Sequence, residues 1–168
     1  MITKATPEDA PALDTLVNSA YRGESSRQGW TTEADLLDGT RTDAAAITEL
    51  IQTPGTTVLK YVEGQEILGC VELRMQYGKL YLGMLTVRPH LQGKGIGKKL
   101  LNAAEEEART QMCTSIFMTV ISVRQELIDW YVRHGYQPTG ERKPFAFNDP
   151  RFGQPKKSLE FIVLEKKL

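Results

Sequence analysis

The stretch Val87-Arg88-Pro89-His90-Leu91-Gln92-Gly93-Lys94-Gly95-Ile96-Gly97-Lys98-Lys99-Leu100 decides how this chain is read. It follows an apolar, strand-like run over 79–87 and opens a helix predicted over 96–112. In that helix Leu100, Leu101, Ala104 and Ala108 point inward, and Lys98, Lys99, Glu105 and Glu106 point outward. Glycines let successive backbone N–H groups turn toward one point with no Cβ in the way, and the helix N-terminus behind them adds a positive dipole end. Arg88, Lys94, Lys98 and Lys99 fall within 12 residues that hold no acid. Such a junction suits an anion, best a pyrophosphate. Two common phosphate loops do not fit it. A P-loop needs Gly at position 92, which is Gln, and Ser or Thr at 99, which is Lys. The single-residue spacing of Gly93, Gly95 and Gly97 also breaks the G-x-G-x-x-G dinucleotide fingerprint.

Outward from the loop, the pattern predicts a strand at 1–4 and a helix from Thr6-Pro7-Glu8-Asp9 to about Tyr21. A polar, Gly-punctuated stretch over 22–42 leads to a second helix ending at Gln52, stopped by Thr53-Pro54-Gly55. Strands at 57–62, 67–75 and 79–87, joined by short turns, read as an antiparallel meander. After the long helix come a buried strand at 115–123, a helix at 124–134 closed by Gly135, and strands at 137–143 and 158–165 around a loop at 144–157. The order is βααβββαβαββ. It implies a mixed α/β (α+β) domain with a mostly antiparallel sheet, flanking helices, and one central parallel pair formed by the strand–helix–strand crossover between 79 and 123.

The chain has 168 residues, a length that suits one domain. Its 21 basic and 21 acidic side chains cancel, which argues against a nucleic-acid binder. The balance is uneven along the chain: residues 1–52 carry 4 basic and 9 acidic side chains, and residues 131–168 carry 8 basic and 4 acidic. An acidic front could attract a cationic substrate and a basic back an anionic cofactor, or both are solvated surface. Cys70 and Cys113 stand in no metal-ligand or redox spacing, and no apolar run is long enough to span a bilayer. A cytoplasmic protein with free thiols, no metal and no membrane partner is expected.

Gln92-Gly93-Lys94-Gly95-Ile96-Gly97 resembles the Q/R-x-x-G-x-G/A loop of the GNAT superfamily of acyl-CoA-dependent N-acyltransferases, with Leu85-Thr86-Val87-Arg88-Pro89 before it and Lys99-Leu100-Leu101 after it. A second block, Leu127-Ile128-Asp129-Trp130-Tyr131-Val132-Arg133-His134-Gly135-Tyr136, is similar to the family's L-Y-x-x-x-G-F/Y segment. The resemblance covers 1–168 and implies a single acyltransferase domain, with acetyl-CoA as co-substrate and an amine as acceptor. It implies that backbone groups of Leu85, Thr86 and Val87 bond the pantetheine arm, and that N–H groups from Gln92 through Gly93, Lys94, Gly95, Ile96 and Gly97 hold the pyrophosphate. Lys94 and Lys98 would assist at the phosphates, and Tyr131 would protonate the departing thiolate. Tyr131 also reads as a core aromatic on the face shared with Leu127.

The chain departs from the family in two places. Arg124 stands where many members have an Asn that bonds the cofactor arm. No acid lies between Leu80 and Val87, where many members carry a Glu base, and Tyr81 takes the expected place. Glu72 is the candidate base; the alternative is a solvent-facing carboxylate on an alternating strand. His90 and His134 sit in a turn and at a helix end, poor places for a base. Trp30 and Glu33, with Glu24 and Asp35 nearby, are expected to line a cleft for a small cationic amine, and the aromatic loop from Lys143 to Gly153 to close over it or to form a dimer contact. A peptide acceptor, or a non-catalytic acyl-CoA sensor, stays open beside the small-molecule acetyltransferase. Gly95→Glu is expected to abolish coenzyme A binding through bulk and charge; normal affinity by calorimetry would remove the pyrophosphate from this loop.

Overall fold

A computed structural model of the chain describes residues 1–22, 29, 32–34, 37–38, 41–144, 154–155 and 159–168. Trp30, Glu24, Asp35 and the 145–153 part of the aromatic loop lie outside the described residues. The strands are β1 (Ile2–Lys4), β2 (Leu37–Asp38), β3 (Thr56–Glu63), β4 (Glu66–Gln76), β5 (Lys79–Val87), β6 (Ser115–Ile121), β7 (Gln137–Pro144), β8 (Gln154–Pro155) and β9 (Glu160–Lys167). The helices are α1 (Ala10–Tyr21), α2 (Ala44–Gln52), α3 (Ile96–Thr110) and α4 (Gln125–Arg133). Seven strands form one sheet in the order β1-β3-β4-β5-β6-β9-β7, and β2 pairs separately with β8. Apart from that short pair, the order of elements is the expected βααβββαβαββ. The one parallel contact in the seven-stranded sheet is β5 with β6, on either side of the α3 crossover.

The helices cover both faces of the sheet. On one face α1 and α2 bury Leu13, Leu16, Val17, Ala20 and Ile47 against Val58, Cys70 and Met84. On the other, α3 buries Leu100, Leu101, Ala104 and Ala108 against Val71, Leu73, Leu80 and Ile116, and Ile128 and Tyr131 of α4 join them. Each fully buried leucine contributes about 1.5–3 kcal/mol by leaving water. Both cysteines are free and buried, and no helix among the described residues is long and apolar enough to cross a membrane.

Three local features depart from the pattern. The first turn before α1, Pro7–Asp9, is a 3-10 turn. Pro11 has no N–H to offer the Pro7 carbonyl, which takes the Ala10 N–H instead. Glu105, expected outward, is buried; Lys166 of β9 reaches its carboxylate at 2.5 Å and offsets the burial cost. The β2–β8 pair has no periodic signal at two residues a side, yet it joins the polar stretch expected to line the acceptor cleft to the end of the loop expected at 144–157.

β4 turns into β5 through Tyr77-Gly78, between the paired residues Gln76 and Lys79. Tyr77 has φ 51 and is fully exposed, so its ring gains nothing from contacts while the backbone bears a left-handed conformation. A two-residue turn with both central φ positive prefers Asn-Gly. Tyr77→Asn is expected to stabilise the fold by about 0.5–1 kcal/mol, a rise of roughly 1–4 °C in melting temperature. A lower melting temperature would contradict this reading of the turn.

Candidate active site

The site begins with a fault in the sheet. Along β4 and β5 the register runs from Cys70↔Thr86 to Glu72↔Gly83, so Met84 and Leu85 together face Val71. This is a β-bulge, with Met84 at φ 53. A left-handed Met costs about 1–2 kcal/mol. The buried Met84 side chain and the bonds to its carbonyl, from the Cys70 thiol at 3.8 Å and the Thr86 hydroxyl at 3.0 Å, hold it there. The pairing of β5 with β6 covers only Leu80↔Ile116 and Tyr81↔Phe117. Beyond that point the two strands separate, and the edge of β5 from Gly83 to Val87 faces a gap instead of a strand. The Tyr21 hydroxyl donates to the Leu85 carbonyl across this region.

On the α3–α4 side the gap opens into a groove of about 580 Å³. Eight of the ten residues expected at the cofactor line it: Leu85, Val87, Gln92, Gly93, Gly95, Ile96, Gly97 and Lys98. Thr86 is buried with its hydroxyl turned to Met84, and Lys94 is exposed and outside the lining. Gly93 and Gly95 both have φ +85, and no atom lies within 4 Å of where their Cβ would be, so the cradle before α3 is open. The Gln92 amide donates to the Val87 carbonyl at 3.1 Å and braces the loop to the end of β5. The opposite wall comes from α4, where Leu127, Trp130, Tyr131 and His134 share one face. Only Tyr131 was expected there, although the i, i+3, i+4, i+7 spacing of the four made that face legible. At Gly97 a Cβ would sit 3.3 Å from the Trp130 ring, so a glycine there lets α3 and α4 close the floor of the groove.

On the other side a smaller cavity of about 170 Å³ shares Leu85, Leu127 and Tyr131 with the groove. Its described lining carries Arg22, Arg41, Arg124 and Glu33. Glu33 is buried, held by its N–H to the Tyr21 carbonyl at 2.7 Å, and both carboxylate oxygens are engaged: Oε1 by Arg22 Nε at 3.0 Å and Oε2 by Arg124 Nη1 at 3.4 Å. Glu33 borders this cavity, and its charge is shared by two arginines. Arg124 turns toward Glu33, the residue expected at the acceptor. Arg41 is positioned by Asn18, whose Oδ1 accepts the Arg41 and Thr42 N–H groups at 2.5 and 3.2 Å. Sequence reasoning missed this arginine group, because residues 22, 41 and 124 meet only through the ends of α1, α2 and α4.

Burial dominates the titration of the phenols. It pushes Tyr21 up to about 12 and Tyr131 well above 10, despite the nearby Arg124. Among the described residues none hydrogen-bonds the Tyr131 hydroxyl; the ring packs edge-on against Trp130 and Tyr136 at 5.1 and 5.8 Å. Glu72 is buried, not solvent-facing. Its Oε1 accepts from Arg74 at 2.7 Å, and its Oε2 lies 3.2 Å from where a Gly83 Cβ would be, beside the Tyr81 hydroxyl at 3.0 Å from the same point. Tyr81 lines the cavity, and the absent Cβ of Gly83 leaves room for both side chains. No group of three or more potential metal ligands occurs among the described residues.

The family model for GNAT acetyltransferases matches residues 13–136. The chain belongs to the GNAT acetyltransferase family. A probable spermine N(1)-acetyltransferase of Bacillus subtilis subsp. natto is 34% identical over 65 residues, 38% of this chain and 43% of that protein. The chain spans less than half the length of the curated relatives it matches. Among solved structures, the PaiA N-acetyltransferase of Thermoplasma acidophilum in complex with coenzyme A superposes with a TM-score of 0.73 at 18% identity, covering 100% of this chain and 98% of that one. A ribosomal-protein-alanine N-acetyltransferase of Brucella melitensis gives a TM-score of 0.72 at 21% identity, over 100% and 99% of the two chains. At these identities the likeness is one of fold.

The buried phenols predict a titration. Their raised folded-state values mean that the stabilisation is complete below about pH 10 and is lost as the pH rises beyond it. Absorbance at 295 nm is expected to leave Tyr21, Tyr131 and Tyr136 of the 6 tyrosines un-ionised at about pH 11 while the fold persists. Ionisation of all of them before unfolding would contradict the burial of these groups.

Proposed function

We propose that the chain transfers an acetyl group from acetyl-CoA to a primary amine of a small-molecule acceptor, by direct attack in a ternary complex. One observation carries the reading: the groove and the smaller cavity meet at Leu85, Leu127 and Tyr131. A thioester reaching that junction from the glycine loop would be open to an amine from the other side. The size of the smaller cavity, below the roughly 300–1,000 Å³ of typical ligand pockets, favours a small metabolite over a peptide. Gln92 through Gly97 would hold the pyrophosphate with their N–H groups, Lys98 would face its charge, and the free edge of Leu85, Thr86 and Val87 would bond the pantetheine arm as a strand would.

In the reaction the deprotonated amine nitrogen attacks the thioester carbonyl, forming the C–N bond. Charge on the carbonyl oxygen meets a backbone N–H near Leu85, and the C–S bond then breaks to release the thiolate. Glu72, which lies behind Tyr81 and outside the cavity lining, takes the amine proton through water around Tyr81. Tyr131 gives its proton to the thiolate and is reprotonated from solvent. A phenol held well above 10 is a poor acid for a thiol in water. Burial also raises a thiol, as at Cys70 on the other face of the sheet, which is pushed up to about 12. A thiolate leaving inside the junction would be raised by the same desolvation, in the direction that favours taking a proton from a buried phenol.

Tyr131→Phe is expected to lower kcat by on the order of a hundredfold while coenzyme A affinity by calorimetry changes little. An unchanged rate of thiol release would remove Tyr131 from the mechanism. Failure of the wild-type protein to release thiol with any amine, with acetyl-CoA bound, would leave a sensor.

A further inference from the structure

The acidic front half of the chain suggests a cleft for a cationic amine, but among the described residues the charges at the smaller cavity have the opposite sign. Its described lining holds three arginines and a single carboxylate, Glu33. Both oxygens of that carboxylate are taken, by Arg22 and Arg124. Glu72 faces Arg74 and does not line the cavity. A polyamine entering here would find no unshared carboxylate among the described residues. Arg41 and Arg124, by contrast, have capacity to spare. Among the described residues the Arg41 guanidinium has no ion pair and lies over the Tyr21 ring at 5.9 Å. The Arg124 side chain is 7% exposed, and its one described partner is the Glu33 oxygen at 3.4 Å. A guanidinium offers five N–H donors in a planar fork, and one long contact leaves most of them unused. Burying such a charge is costly unless a counter-charge arrives, and an oxyanion satisfies it bidentately.

We propose that the acceptor carries an oxyanion, a carboxylate or a phosphonate, close to the amine that is acetylated, and that Arg41 and Arg124 bind it. This rests on the acetyl-transfer reading above. The geometry sets the orientation: the arginines supply one part of the wall, while Leu85 and Tyr131 form the boundary with the cofactor groove. An anion anchored at the guanidinium groups leaves the amine directed to the junction. With about 170 Å³ enclosed by the described walls, both groups belong to one small molecule, such as an amino acid or an aminoalkylphosphonate. The Asn18 bonds that fix Arg41 and the Glu33 bond that fixes Arg124 organise the pair before the acceptor arrives.

The test uses the full chain with acetyl-CoA and matched acceptors: ethylamine, alanine, 1-aminoethylphosphonate and spermidine. Thiol release is expected to show kcat/KM at least about tenfold higher for alanine or the phosphonate than for ethylamine or spermidine, the two anionic arms reporting which oxyanion is preferred. Arg41→Met, at a half-exposed position, should fold normally, keep coenzyme A affinity, and erase that preference; Arg124→Met should do the same where its circular dichroism matches the parent. Equal or better use of ethylamine or spermidine, or a preference that survives Arg41→Met, would overturn the proposal. Thermal shift of the coenzyme A-loaded protein reads binding without turnover. Stabilisation by alanine or the phosphonate but not ethylamine, with no thiol release, would support the anion site and overturn acetyl transfer. Thiol release without discrimination would do the reverse, and neither binding nor release would overturn both.

Discussion

The bulge at Met84 and Leu85 is the constraint on which the rest of the molecule depends. A regular β5 would continue its pairing with β6, and the centre of the sheet would be closed. One extra residue bends β5, ends the parallel pairing after Tyr81↔Phe117, and leaves polar backbone edges without strand partners in the middle of the fold. Buried backbone groups cannot be left unpaired at low cost. The protein answers at one of them with the Tyr21 phenol. In the proposed reaction the pantetheine arm would answer the same need along the remaining edge. The gap is thus a defect with two walls, and each wall has become a chemically distinct compartment.

The compartments differ in how they are held. The larger groove is built from regular elements: the β5 end, the start of α3 and one face of α4, tied by the Gln92 brace and the Gly97–Trp130 approach. The smaller cavity is built from helix ends and the residues following them. Arg22 follows α1, Arg41 precedes α2, Arg124 precedes α4, and Glu33 is bonded back to the last turn of α1. A common cofactor calls for a fixed frame, and an acceptor is selected by parts that change without disturbing the sheet. In this chain the residue that stands where the resemblance puts a cofactor contact, Arg124, lines the smaller cavity instead.

Most of the fold was legible because its signals are periodic and local. The α3 stripe of Leu100, Leu101, Ala104 and Ala108, the alternating strands and the glycine stops each depend on a few neighbouring residues. The loop at Gln92 to Gly97 was legible because backbone geometry alone makes the chemistry. What escaped depends on distant partners. Glu105 reads as solvent-facing until Lys166 is brought beside it from the far end of the chain. The left-handed Met84 has no signature, since only the misfit between two strands calls for it. The arginine group around Glu33 draws on residues about ninety positions apart, and net charge counted along the chain gave the opposite sign from charge counted around the cavity.

The sheet order has a consequence for how the molecule assembles. β9 lies between β6 and β7, so β7, though made earlier, has no neighbour to bond until the final strand is inserted. The glycine loop is braced to the end of β5 by Gln92, while α3 has its buried Glu105 satisfied only once Lys166 of β9 is in place, and the β2–β8 pair closes over a long sequence separation. During synthesis the β3–β4–β5 meander can pair while the chain is still emerging. Until β9 is inserted, the outer edges of β6 and β7 are exposed to any other strand that offers itself.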